Sequence, residues 1–176
     1  MPACTELPDL ATLQRARARI ADLVLATPLW ANEPLSRELG ASIYFKLENL
    51  QRTGSFKLRG ASYKIACLLD RGQGQQGVVA ASAGNHAQGV ARAAREAGLA
   101  ATVVMPVNAA LTKVEACRSL GARVVLQGST LEDARQAAES LAQESGGSLI
   151  HPYDDWEIIA GQAGVGLEIL EQLPEV

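Results

Sequence analysis

Four short apolar runs alternate with segments of helical periodicity, and that alternation constrains the fold of this chain more than any other feature. The runs are Val78–Ala81, Ala101–Met105, Ala122–Leu126 and a weaker one at Ser148–His151. Helical patterns occupy Phe56–Leu69, Asn85–Ala97, Ala109–Leu120, Leu131–Glu144 and Asp155–Leu173. Glycines punctuate their ends at Gly98, Gly121 and Gly146-Gly147, where a left-handed C-terminal cap suits glycine. Apolar strands separated by helices of about 10–15 residues predict right-handed β-α-β units. The expected fold class is α/β, a buried parallel sheet with helices on both faces. In such sheets ligands sit beyond the carboxyl ends of the strands, so the loops after Ala81, Met105 and His151 should carry the chemistry.

Upstream, Leu10, Leu13, Ala16, Ile20, Leu23 and Val24 recur at helical spacing and predict a first amphipathic helix. Thr27-Pro28 should end that region, because the residue before a proline avoids helical angles. Ile43–Leu47 reads as a short strand. The 176 residues leave room for one domain or one and a fraction. With only seven aromatics (two Phe, two Trp, three Tyr), the core must be built from Ala, Leu, Val and Ile.

Several function classes are disfavoured. Sixteen Lys and Arg against nineteen Asp and Glu give a net charge of −3, with no basic block, so no nucleic-acid partner is expected. Apolar runs such as Leu99–Val107 fall far short of the ~18 residues a membrane span needs, so no membrane partner is expected either. The opening Met1–Glu6 lacks the basic and then greasy segments of a signal peptide. Cys4, Cys67 and Cys117 are odd in number and widely spaced, which fits small core or surface residues in a reducing cytoplasm. His86 and His151, the only histidines, are not spaced to Cys or carboxylate partners, so no metal site is expected. Gly72-Gln73-Gly74-Gln75-Gln76-Gly77 matches a dinucleotide-binding pattern but leaves a helix and feeds a strand, the reverse of what that site requires. It reads as a connector.

Two segments carry chemical signal. In Ser55-Phe56-Lys57-Leu58-Arg59-Gly60-Ala61 a polar turn enters a helix, with Ser55 as the expected N-cap and Lys57 just inside. A lysine there opposes the helix dipole; dipole and partial burial together would lower its pKa and free the amine as nucleophile or base. The structural alternative is a solvated surface lysine. In Ala81-Ser82-Ala83-Gly84-Asn85-His86-Ala87-Gln88-Gly89 a strand ends and a helix begins. Its small residues let the backbone close on a ligand, and free N–H groups attract an anion such as a carboxylate. The alternative is a capped turn with Asn85 as N-cap and His86 merely packed.

Taken together, these segments closely resemble the signatures of the pyridoxal-phosphate (PLP) serine/threonine dehydratases, which share the fold of the tryptophan synthase β subunit. Thr27-Pro28-Leu29, Met105-Pro106, Lys113-Val114, Gly121-Ala122, His151-Pro152-Tyr153-Asp154-Asp155 and Ile159-Ala160-Gly161-Gln162 look alike too. The resemblance runs from about Ile20 to Pro174. It implies that Lys57 holds the cofactor as an internal Schiff base and moves protons at the substrate Cα. Phe56 would pack on the pyridine ring, and Asn85 would hydrogen-bond the ring 3′-oxygen. Ser82, Gly84, His86 and Ala87 would bind the substrate carboxylate, mostly through backbone N–H groups. The implied reaction converts L-threonine, and L-serine as a second substrate, to a 2-keto acid and ammonia, within amino-acid metabolism that includes isoleucine biosynthesis. Serine racemases of this fold resemble the segment but carry serine where Ala83 stands, and alanine has no proton to give. The sulfhydrylases of the fold end the turn in Gly-Asn-Thr, and His86 argues against them. Trp156 replaces a usual proline and Gly164 a usual threonine.

The family's catalytic unit is nearly twice as long, and its glycine loop for the cofactor phosphate and the residue facing the pyridine nitrogen have no counterpart here. The resemblance thus implies an N-terminal portion. Residues 1–56 would open a large domain, 57–153 would form the small α/β domain, and 154–176 would begin the return to the large one. The family assembles as homo-oligomers, largely through the portion without a counterpart. The competing expectation is an inactive fragment or paralogue, at most a weak ligand-binding domain.

Overall fold

The computed structural model describes residues 7–176; Met1–Glu6, and with them Cys4, lie outside the described residues. The first helix is α1 (Leu10–Arg19), capped by the Asp9 carboxylate, which accepts from Thr12 N. It buries Ala16, and the turn after it buries Ile20 and Val24. Leu10, expected on that apolar face, is exposed. The strand expected at Ile43–Leu47 is β2 (Tyr44–Lys46), and it pairs antiparallel with β1 (Leu29–Ala31). Between them lies α2 (Glu33–Leu39), begun by the Asn32 cap. Both β1 and α2 are too short and too exposed to leave a clear periodicity.

The second half has the architecture the alternation predicts. Strands β3 (Val78–Ala81), β4 (Ala101–Met105), β5 (Arg123–Leu126) and β6 (Ser148–Leu149) form one parallel sheet in the order β5-β4-β3-β6. Its crossover helices are α4 (Asn85–Glu96), α5 (Leu111–Ser119) and α6 (Leu131–Ser145). α3 (Lys57–Asp70) precedes β3, and the glycine run Gly72–Gly77 joins the two as a connector. One sheet face packs Val78, Ala80, Val103 and Met105 against Leu58, Ile65, Val90 and Val114 from α3, α4 and α5. The other packs Val79 and Val104 against Ala134, Ala138 and Ala142 of α6. Helices therefore cover both faces of the sheet. Of the described cysteines, Cys117 is buried in this core and Cys67 is half-buried; both are free.

The pattern at Asp155–Leu173 is two helices, α7 (Trp156–Gln162) and α8 (Gly164–Gln172), meeting at Ala163. Asp155 accepts from Glu157 N and Ile158 N to start α7. Trp156 takes the first helical position, the one place in a helix where proline is also at home. Of the glycines in these two helices, Gly161 packs directly on α3. A Cβ at Gly161 would lie 2.7 Å from Arg59 O and from Gly60 Cα, and one at Gly60 would lie 2.8 Å from Ile158 O. Glycine at both positions lets the two helix backbones touch, and no side chain could replace either without moving a helix. Gly164 sits near Arg59 and Arg17, whereas Gly166 has open space around it.

A charged cluster fastens this arrangement. Arg59 is wholly buried; it donates to Glu48 and to Glu168, the latter at 2.7 Å, and to Leu25 O at 3.0 Å. Lys46 also reaches Glu168, at 2.6 Å. Burial pushes the Glu168 carboxyl up, but the bonds from Arg59 and Lys46 outweigh it and hold the pKa below the usual carboxylate range. Two cations and two carboxylates thus neutralise one another while tying α3 to β2, the following turn and α8.

Candidate active site

Lys57 is the first residue of α3. Ser55 is not the cap that its position suggested: Phe56 takes the cap position of α3, no side chain bonds there, and the buried Ser55 Oγ has no partner. The Lys57 amine donates to Pro152 O at 2.7 Å across 95 residues of sequence, and lies 5.2 Å from the centroid of the Phe56 ring. Burial pushes its pKa below that of an ordinary lysine. The solvated surface lysine is therefore set aside. Phe56 itself is 41% exposed, so much of its ring is uncovered.

The asparagine turn lies directly behind. A Cβ on Gly89 would stand 3.0 Å from Lys57 C, so α4 runs against the backbone that carries the lysine. Gly84, not Asn85, takes the cap position of α4, and no side chain bonds its leading N–H groups. Asn85 is the first helical residue, and its Oδ1 accepts from Lys113 Nζ at 3.1 Å. Gly84 N donates to Ser82 Oγ at 3.2 Å, closing the turn, and a Cβ on Gly84 would meet nothing within 4 Å. Ala87 is wholly buried in the core beside these groups.

His86 is 4% exposed. Its Nε2 lies 3.0 Å from Ile150 O, and because a carbonyl can only accept, Nε2 carries the proton. Nδ1 is buried without a partner. Burial, helped by the charges of Lys57 and His151, drives the pKa down to about 4, and the bond to Ile150 O only partly opposes them. His86 is thus a neutral ring at pH 7.

The lysine turn, the asparagine turn and the end of β6 therefore meet, with His86 on Ile150 O and Lys57 on Pro152 O. Of the three loops expected to carry chemistry, those after Ala81 and after β6 reach this place directly. The one after Met105 contributes through Lys113 of α5. Sequence reasoning missed the carbonyls of Ile150 and Pro152, since motifs register side chains. It quoted Lys113-Val114 and assigned it no role. Among the described residues no cluster of three His, Cys, Asp or Glu could hold a metal, and no helix is long and apolar enough to cross a membrane.

Comparison with known proteins shows the family. Residues 20–176 match the family model described as pyridoxal-phosphate dependent enzyme. The chain is 47% identical over 167 residues to L-threonine ammonia-lyase of Thermotoga maritima, covering 95% of this chain and 41% of that protein. It is 46% identical over 166 residues to the catabolic L-threonine dehydratase TdcB of Staphylococcus aureus, covering 94% of this chain and 48% of that one. The structure of maize serine racemase superposes with a TM-score of 0.92 at 38% identity, over 97% of this chain and 52% of that chain. The chain spans less than half the length of these curated relatives. It belongs to the family of pyridoxal-phosphate dependent enzymes.

Proposed function

We propose that these residues form the lysine-bearing part of a PLP-dependent dehydratase acting on L-threonine, with L-serine as a second substrate. The observation that carries this reading is the Lys57 amine, lowered in pKa by burial and held by the Pro152 carbonyl, with α4 packed against the backbone that bears it. The residues fit the cofactor. Lys57 supplies the amine that would hold it, and Phe56 offers an uncovered aromatic face. Asn85 is then left with its amide N–H₂ for a ring oxygen, since its Oδ1 is engaged by Lys113. When bound, pyridoxal phosphate supplies an electron sink for negative charge at the substrate Cα.

The rest falls to the protein. Lys57 Nζ takes the proton from Cα, a task suited to an amine whose pKa is already lowered. The β-hydroxyl leaves as water, and hydrolysis of the enamine gives the 2-keto acid and ammonia. The substrate carboxylate meets the N–H groups of the α4 start, at the positive end of the helix dipole. His86 serves there through its backbone N–H, because its ring is neutral and its one N–H is spent on Ile150 O. Ser82 and Gly84 shape the turn by their mutual bond. Ala83 offers no proton to the opposite face of Cα, which favours elimination over racemisation. The division at residues 57 and 153 belongs to the same proposal, supported by the four-stranded sheet and α3–α6 lying within those bounds.

Two measurements test it. Incubation of the chain with PLP followed by borohydride should leave a reduced adduct on the Lys57 peptide, and none after Lys57→Ala. In a polypeptide of the relatives' full length that carries these residues, Lys57→Ala should abolish 2-oxobutyrate formation from threonine. Continued turnover by that variant overturns the assignment.

A further inference from the structure

The segment that holds the lysine is itself held in an unusual way. Ile150 is fixed by sheet bonding, its N donating to Val79 O at 2.8 Å and its O engaged by His86. Asp155 is fixed at the other end by capping α7 and by Lys64 at 2.7 Å. Between these anchors runs Pro152-Tyr153-Asp154. Pro152 has no N–H of its own, and Tyr153 is exposed. The ring of His151 closes the gap: its Nδ1 accepts from Asp154 N at 2.7 Å and from Tyr153 N at 3.3 Å. The Tyr153 ring stands edge-on to it, with centroids 4.8 Å apart. Two N–H donors converging on Nδ1 require that nitrogen to be unprotonated, with any ring proton on Nε2.

We propose that His151 is a positioning residue for the reactive lysine: its Nδ1 clasps the Tyr153 and Asp154 amides and so aims the Pro152 carbonyl at Lys57 Nζ. The significance of the clasp rests on Lys57 being the reactive amine, but its geometry does not. With the turn closed, Nζ has a fixed acceptor 2.7 Å away that favours its charged form. With the turn open, the carbonyl swings off and that support is lost. The side chain acts at a distance, through two backbone amides and a carbonyl, and touches neither the amine nor a substrate.

Asparagine and glutamine separate this role from mere packing. An Asn at 151 places Oδ1 where Nδ1 sits, within reach of the backbone N–H groups two and three residues on, and Asn readily accepts from such local amides. Gln places its oxygen one bond further out, and Phe keeps the ring without the acceptor. The readout is the pH midpoint of Lys57 reductive methylation with formaldehyde and cyanoborohydride, followed by peptide mass spectrometry on the cofactor-free chain. His151→Phe and His151→Gln should lower the midpoint by about half a unit, raising the neutral amine about threefold at pH values below it. His151→Asn should restore the wild-type value. A matching shift in His151→Asn, or no shift in His151→Gln, overturns the proposal. The Gln–Asn pair decides the matter even if His151→Phe fails to fold, which melting curves will reveal. Failure of the PLP assignment reads out separately, as a Lys57 peptide without the reduced cofactor adduct while the methylation pattern holds.

Discussion

Acidification from pH 7 to pH 4 should strip stability from this fold through His86, and the amount follows from its surroundings. The ring is 4% exposed, with one N–H on Ile150 O and a burial-driven pKa of about 4 against 6.5 when unfolded. Between those two values the unfolded chain binds a proton that the folded chain refuses, so stability rises with pH throughout the window. The contribution is fully present above pH 6.5 and is lost as pH falls towards 4. At about 1.36 kcal/mol per unit, the loss comes to about 2 kcal/mol by pH 5 and about 3 kcal/mol by pH 4. Paired carboxylates such as Glu157 and Glu168, both held below their ordinary range, add an acid loss of their own. The wild-type curve alone therefore cannot assign the effect, and a variant must isolate it. His86→Gln keeps an amide N–H near the Ile150 carbonyl but does not titrate. Urea unfolding of both proteins at intervals between pH 7.5 and 4 gives the difference directly. Wild type should lose about 3 kcal/mol more than the variant over that range. Parallel curves would refute the neutral, buried histidine and the anion-site role that depends on its neutrality.

Gly161→Ala forces a Cβ to within 2.7 Å of Arg59 O and Gly60 Cα, both backbone; a loss of about 1–3 kcal/mol is expected in chemical denaturation. Arg59→Met leaves Glu168 buried beside Lys46 alone and Glu48 without its guanidinium, and should destabilise by about 3–5 kcal/mol. Gly84→Asp is expected to stabilise, by about 1 kcal/mol in thermal melting, because a Cβ there meets nothing within 4 Å and α4 gains the side-chain cap it lacks.

The sheet was legible because a parallel strand covered on both faces has a signature of its own. Val78, Val79 and Ala80 are all buried, as are Val103, Val104 and Met105, and continuous apolar runs say so without alternation. The first half was harder. β1 and β2 are three residues each with much of their side-chain surface exposed, so no burial pattern was written into Leu29–Ala31, and the helix between them buries nothing. The division of the single helix expected over Asp155–Leu173 was not legible because apolar periodicity continues smoothly through Ala163, the one residue that interrupts it, which keeps helical angles and has no proline or charge to mark it. Lys57 and His86 stood out at the site because their types are unusual at helix starts beside small residues. The partners that give them their properties, the carbonyls of Ile150 and Pro152, belong to residues whose side chains do something else.

The helix starts are of two kinds. α1, α2, α6 and α7 each begin with a side chain closing the first turn: Asp9, Asn32, Thr130 and Asp155. Thr130 goes further and forms a reciprocal box with Asp133. α3 and α4, whose starts carry Lys57 and the asparagine turn, have no such bond, and neither do α5, which follows Ala110, or α8, which continues from α7 through Ala163. Sequence does not force that omission, since Ser55 stands one residue from the α3 cap and Ser82 two residues from that of α4. Ser55 Oγ is buried and unpaired instead, and Ser82 Oγ takes the Gly84 amide. Each absent cap forgoes about 1 kcal/mol of helix stability and leaves N–H groups unsatisfied. Such groups are tolerable where a ligand completes them, and an anion at a helix start is the ligand they favour. The starts of α5 and α8 show that a missing cap does not by itself mark a site. At α3 and α4 it coincides with Lys57 and with the turn whose N–H groups would take the substrate carboxylate.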